Sequence, residues 1–233
     1  GVLPLSKSCD TVGTICKTVK DTKILFGILS NKKNGQELDL FKKIKIGFIY
    51  DFNFNQLDNY SKKKIDLLNS KINKLGICVD NIQVPEFDEI NNFFRIHGSL
   101  VNYEAWRYWK GIIENNLKFI DPNVADRFLI GKNMTYESIN KIKKKVKNLK
   151  KNVLKMFDSY DFFLMPTIAL GPPTIKDLRS KNKYQFYNSA ALDNTRVVNI
   201  FDLCAISLPL KLDKRRWLSL SIITNKNNDN KLL

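Results

Sequence analysis

Few side chains in this chain have the types and spacing that chemistry needs. Its single histidine is His97, so a Ser-His-Asp relay would have to use that residue. His97 falls among Phe93, Phe94 and Leu100 in a helical pattern, and a histidine on such a face reads as structural. The four cysteines, Cys9, Cys16, Cys78 and Cys204, contain no C-x-x-C pair. With one histidine to help them they do not make a four-ligand zinc site, so no metal is expected. They read as small buried hydrophobes in a reducing compartment. G-x-S-x-G, P-loop, G-x-G-x-x-G and H-E-x-x-H patterns are absent. Asp193, Asn194 and Thr195 form one compact polar cluster, which reads equally as a helix N-cap or as a binding site. Asp10 reads as another helix cap. From the residues alone, no catalytic residue and no cofactor are assigned.

The elements that must position these groups follow from hydrophobic period. Val12, Ile15, Cys16, Val19, Phe26 and Leu29 recur at helical spacing, with Asp10 or Thr11 as the cap and a polar loop from Asn31 to Gln36 as the stop. Residues 44–50 (IKIGFIY) read as a buried strand, 56–75 as a helix ended by Gly76, and 77–84 as a second strand. Strand, helix, strand predicts a parallel pair. One long helix is predicted from Phe87 to about Leu117, and a short one after Asp121-Pro122 that Gly131 breaks. The clearest helix runs from Thr135 or Tyr136 to Tyr160. Its apolar stripe is Ile139, Ile142, Val146, Leu149, Val153 and Met156, and its other faces are lysine. That basic face reads as a solvated surface, or as a polyanion or membrane-surface helix. Residues 161–168 read as a strand, 194–201 as a helix, and 205–210 and 217–224 as strands, with a polar turn at 225–230.

Composition bounds the class. There are 233 residues, 43% hydrophobic and 27% charged, enough for one domain with its own core. No apolar run approaches the ~20 residues of a spanning helix, so no membrane association is expected. Lys plus Arg is 39 against 23 Asp plus Glu, a formal net charge of +16. Such an excess suits a polyanion partner. Lys outnumbers Arg 32 to 7, however, and a surplus of Lys, Asn and Ile is also what AT-rich codons produce.

Three segments resemble the amidase signature family. They are GVLPLSKSCDTVGTICKTVKDTKILFGIL (1–29), YDFFLMPTIALGPPTI (160–175) and NTRVVNIFDLCAISLPL (194–210). The resemblance implies an α/β fold, a mixed and largely parallel β-sheet with helices on both faces, incomplete in this chain. It implies a Ser-cisSer-Lys amidase whose Lys, bridging Ser and nucleophilic Ser lie upstream of Gly1. The chain, 1–233, is therefore expected to be the C-terminal portion of a single amidase domain, without its catalytic core and inactive alone. Thr167, Asn194, Thr195 and Asn199 match family motif positions and are the implied substrate-pocket residues. The implied partner is a small-molecule amide; the family permits a homodimer, and the expected compartment is the cytoplasm. An alternative within the family is the amidase-type subunit of a tRNA-dependent glutamine amidotransferase, the one case that brings nucleic acid. In that branch an Asp, used to hold the glutamine amino group, stands where this chain has Leu192. Asp213-Lys214-Arg215-Arg216 also departs from the family's Gly-rich turn. An alternative of another class is a non-catalytic basic protein binding RNA through the 141–151 helix.

Overall fold

The structure is a computed structural model and describes residues 1–31 and 43–233. The first helix, α1, is Val19–Ser30 and begins later than the periodicity predicts. Thr18 caps it, its side chain accepting from the Asp21 N–H. Asp10 instead accepts from the Leu5 and Ser6 N–H groups at 2.9 and 3.1 Å, closing a turn in which Cys9 and Asp10 donate to the Ser6 carbonyl. A carboxylate engaged by local backbone competes with helix, and Gly13 among β-branched Thr11, Val12, Thr14 and Ile15 disfavours it further. Most of the predicted 31–36 loop lies outside the described residues.

Strand β1 (Lys45–Ile49), helix α2 (Asn59–Lys74) and strand β2 (Cys78–Ile82) form the predicted unit, and the two strands pair in parallel. Asp58 caps α2 through the Tyr60 and Ser61 N–H groups, and Gly76 follows it at φ +87°. The single long helix predicted next is two: α3 (Pro85–His97) and α4 (Leu100–Asn116). Gly98 separates them at φ 76° and ψ −179°, a backbone region open essentially to glycine alone. Ser99 then opens α4 with a capping box to Asn102. Helix α5 (Pro122–Lys132) runs through Gly131 rather than stopping there. That glycine is buried, and a Cβ would collide with the Asn102 carbonyl. It is a close-approach glycine, which lets α5 lie on α4. Helix α6 (Tyr136–Met156) is capped by Thr135 as its pattern predicts and ends four residues before the predicted Tyr160.

Strand β3 (Phe162–Pro166) is buried throughout. After the Pro-rich loop come α7 (Ile175–Leu178) and α8 (Lys181–Ile200). Helix α8 starts thirteen residues before the predicted Asn194, so Asp193, Asn194 and Thr195 sit in its body and cap nothing. Strands β4 (Cys204–Lys211) and β5 (Trp217–Thr224) form an antiparallel hairpin, and a short α9 (Asp229–Leu232) follows.

The sheet is mixed, in the order β2-β1-β3-β5-β4. Strands β2, β1 and β3 are parallel, and β5 joins β3 antiparallel. Helices cover both faces. Ile49, Phe163, Met165 and Ile223 meet Phe87 of α3, Ile142 and Val153 of α6, and Val197 of α8. Phe48, Leu164 and Leu220 meet Ile65 of α2 on the other side. Each such side chain, fully buried, contributes about 1.5–3 kcal/mol. The cover ends at the hairpin: Ala205, Ser207 and Pro209 of β4 are exposed on the first of these faces. Pro209 fits there because β4 is an edge strand. Among the described residues no helix is long and apolar enough to cross a membrane.

Candidate functional site

A cleft of about 840 Å³ opens between the N-terminal turn, the α3–α4 junction, α5 and α8. Helical period builds one wall: Asn188, Leu192, Thr195 and Asn199 recur every three or four residues along α8 and all face it. Asn199 is half-buried and donates from Nδ2 to the Cys9 carbonyl at 2.8 Å, tying α8 to the N-terminal turn. Thr195 is exposed, and its hydroxyl bonds the Leu192 carbonyl of its own helix.

The other two implied pocket residues lie elsewhere. Asn194 is 1% exposed; its Nδ2 donates to the Pro166 carbonyl and its Oδ1 accepts from Asn53 Nδ2, both at 2.7 Å. It clamps α8 to the end of β3. Thr167, just past β3, shares its hydroxyl with Ser207 and Ser221, each at 2.8 Å. These three hydroxyls sit beside the uncovered face of β4. They bond one another, and among the described residues no histidine, lysine or carboxylate is hydrogen-bonded to them. The structure thus brings Thr195 and Asn199 together and separates them from Thr167 and Asn194.

Three arginines not among the implied pocket residues line the cleft: Arg95 and Arg127, outside the three family segments, and Arg196, within the third. Asp193 lies behind, its side chain 4% exposed, with Oδ2 2.5 Å from Arg95 Nη2 and Oδ1 3.0 Å from Arg196 Nη1. Asn91 completes the network, donating to the Asp193 carbonyl and accepting from Arg196, both at 3.2 Å. Burial lowers the Arg196 pKa, Asp193 opposes this, and Arg95 and Arg127 lower it further. The three arginines face Asp193 behind them, Asp10 on the rim and Asp88 beside Arg95. A signal existed in the sequence. In a chain with 32 Lys and 7 Arg, three of the seven converge here, and Arg is preferred where a planar fork must bind.

His97 is the last residue of α3, exposed, with its ring 4.4 Å from that of Phe93. The cysteines are free thiols and half-buried rather than fully buried. Cys9 lines the cleft, and burial raises its pKa, which suits an inert thiol rather than a thiolate nucleophile. Among the described residues no group of three or more His, Cys, Asp and Glu is placed to hold a metal ion. The arrangement is a polar, arginine-lined cleft in which the Ser6 hydroxyl donates to Glu104 at 2.7 Å and the Ser189 hydroxyl to Asp193 at 3.3 Å, and among the described residues no serine is hydrogen-bonded to a histidine or lysine base.

Solved structures share this mixed sheet with its two helical layers. A crystal structure of an amidase superposes with a TM-score of 0.81 at 19% identity, covering 100% of this chain and 52% of that one. A glutamyl-tRNA(Gln) amidotransferase subunit from Thermotoga maritima gives 0.68 at 18%, covering 97% of this chain and 51% of that one. Among sequences, 2-amino-5-chloromuconic acid deaminase from Comamonas testosteroni is 25% identical over 219 residues, 93% of this chain and 47% of that protein. The corresponding glutamyl-tRNA(Gln) amidotransferase subunit from Mycoplasma genitalium is 23% identical over 275 residues, 100% of this chain and 57% of that protein. The family described as Amidase matches residues 1–233, and the chain belongs to it. It spans about half the length of the relatives it matches.

Proposed function

We propose that these residues are the C-terminal part of a single amidase domain that hydrolyses the C–N bond of a small carboxamide. Its Lys, bridging Ser and nucleophilic Ser are supplied by polypeptide upstream of Gly1. In that reaction Lys accepts a proton through the bridging Ser from the nucleophilic Ser, which attacks the amide carbonyl. The amine departs with a proton, and water releases the acid from the acyl-enzyme. This chain contributes the pocket wall, with Thr195 and Asn199 facing the cleft and Thr167 and Asn194 fixing the end of β3. A cytoplasmic location goes with the same reading.

The observation that carries it is unfinished packing in a chain whose whole length matches the family. Helix α1 buries no residue and exposes Ile24, Leu25, Ile28 and Leu29, and the hairpin leaves Ala205, Ser207 and Pro209 bare beside the Thr167 hydroxyls. Surfaces of this kind call for cover. The amidotransferase alternative is less favoured. Leu192 stands in the cleft where that branch places its Asp, and the neighbouring Asp193 is consumed by Arg95 and Arg196.

The test is a fluorophosphonate probe applied to the chain alone and to the same chain extended by its upstream coding sequence. The extended protein is expected to be labelled on an upstream Ser and to release ammonia or amine from carboxamides. Specific labelling of a Ser within 1–233 overturns the proposal.

A further inference from the structure

We infer that the outer face of α6, with a recess beside it on α3, binds single-stranded RNA through its phosphates. The inner face of α6 is spent on the core, where Ile139, Ile142, Leu149 and Val153 are buried. From Ile139 to Phe157 the sequence has eight lysines and no Asp or Glu. Three of those lysines are neutralised from elsewhere: Lys141 by Glu137, Lys145 by Glu89 and Lys150 by Asp202. Of the other five, Lys143 lies toward Glu104, and Lys144, Lys147, Lys151 and Lys155 are exposed and have no carboxylate within ion-pair distance among the described residues.

Their spacing of three, four and four residues puts these four lysines on one face, over about 16 Å of helix axis. Asn148 and Asn152 lie exposed between them, with amides suited to phosphate and sugar oxygens. At the N-terminal end of this stripe is a recess of about 320 Å³, rimmed by Ser138, Lys141, Lys144 and Asn148. Phe93 and His97 line it with their rings 4.4 Å apart. A row of cations leading to a recess with aromatic rings in its wall is the pairing that single strands use: phosphates on the row, an unstacked base in the recess, where Lys145 already lies over the Phe93 ring.

The alternatives fit less well. A membrane needs an apolar face to insert, and that face of α6 is already inside the protein. Coding bias explains many lysines, but it does not remove acids. Helix α2 carries Lys62, Lys63, Lys64, Lys71 and Lys74 with Asp66 among them, whereas α6 has nineteen residues without one. This inference does not depend on the amidase reading, and its test uses no hydrolysis.

The experiment is fluorescence anisotropy of a labelled oligoadenylate across a NaCl series. Wild-type binding is expected to weaken linearly in log K against log salt. Replacing Lys144, Lys147, Lys151 and Lys155 together by Gln should lower affinity roughly tenfold or more and flatten the slope by about 0.7 for each phosphate no longer engaged. The same four positions changed to Arg should retain binding, which separates charge from folding. Phe93→Ala should weaken binding roughly fivefold or more without altering the slope. Lys62, Lys63, Lys71 and Lys74 changed to Gln on α2, an equal change in net charge, should leave both nearly unchanged. Absence of wild-type binding, equal loss in the α2 variant, or stronger competition by anionic vesicles or an acidic protein than by RNA each overturns the inference.

Discussion

Asp193 shows how a residue's role depends on what surrounds it. Next to Asn194 and Thr195 in sequence, it has the look of a cap or a ligand. In the fold its carboxylate is buried between two guanidinium groups and holds them at the edge of the cleft. Asp193→Asn keeps the shape and removes the charge, leaving Arg196 half-buried beside Arg95 without compensation. The expected cost is about 1–3 kcal/mol, below the full penalty for a deeply buried pair because both arginines retain contact with water. Urea denaturation measures it, and a shift in midpoint with unchanged slope is the expected form. The four pocket positions suggested by family motifs divide by the same logic. Thr195 and Asn199 are separated by one helical turn and share a face. Asn194 is rotated away from that face and buried.

Among the elements, the α3–α4 break decides the shape of the cleft. Period alone joins Phe87 to Leu117, because the apolar residues on either side of Gly98 continue at helical spacing. Only the backbone at Gly98 reveals the break, and Ser99 and Asn102 then restart the ladder. Gly98→Ala is expected to destabilise the fold by about 1–3 kcal/mol, since that backbone region is costly for any residue with a Cβ. The Cβ would also lie 2.9 Å from Met134 Sδ. Chemical denaturation checks this, with Gly111→Ala as a comparison: Gly111 lies within α4 with open space around it, and Ala should be neutral or stabilising there. Helix α6 poses the opposite problem. Its start and apolar stripe were legible because packing and period agree, though it ends at Met156 rather than Tyr160, and its lysines at i and i+4 repel by about 0.2–0.5 kcal/mol per pair.

At the scale of the whole molecule, the sheet order places an antiparallel hairpin at one edge and leaves its face bare, while α1 carries apolar side chains into solvent. Such surfaces promote association. The chain alone is expected to bind a hydrophobic dye such as ANS and to form concentration-dependent oligomers in light scattering. Extension by the upstream coding sequence should suppress both. A monomer that melts sharply and ignores the dye would count against the proposed division of the domain.

A repeating buried face marked α2 and α6, continuous apolar runs marked β1 and β3, and strand–helix–strand order gave the parallel β1–β2 unit. Motif order pointed to the family for a related reason: short segments such as 160–175 and 194–210 hold the end of β3 and the body of α8. Tertiary structure decided what period could not. It moved the start of α1 to Thr18, split a helix at Gly98, turned Gly131 from a stop into a contact, and extended α8 back to Lys181. Above all, it gathered Arg95, Arg127 and Arg196 from three separate helices into one cleft. Convergence of residues this far apart in the chain comes from packing, which no local spacing encodes.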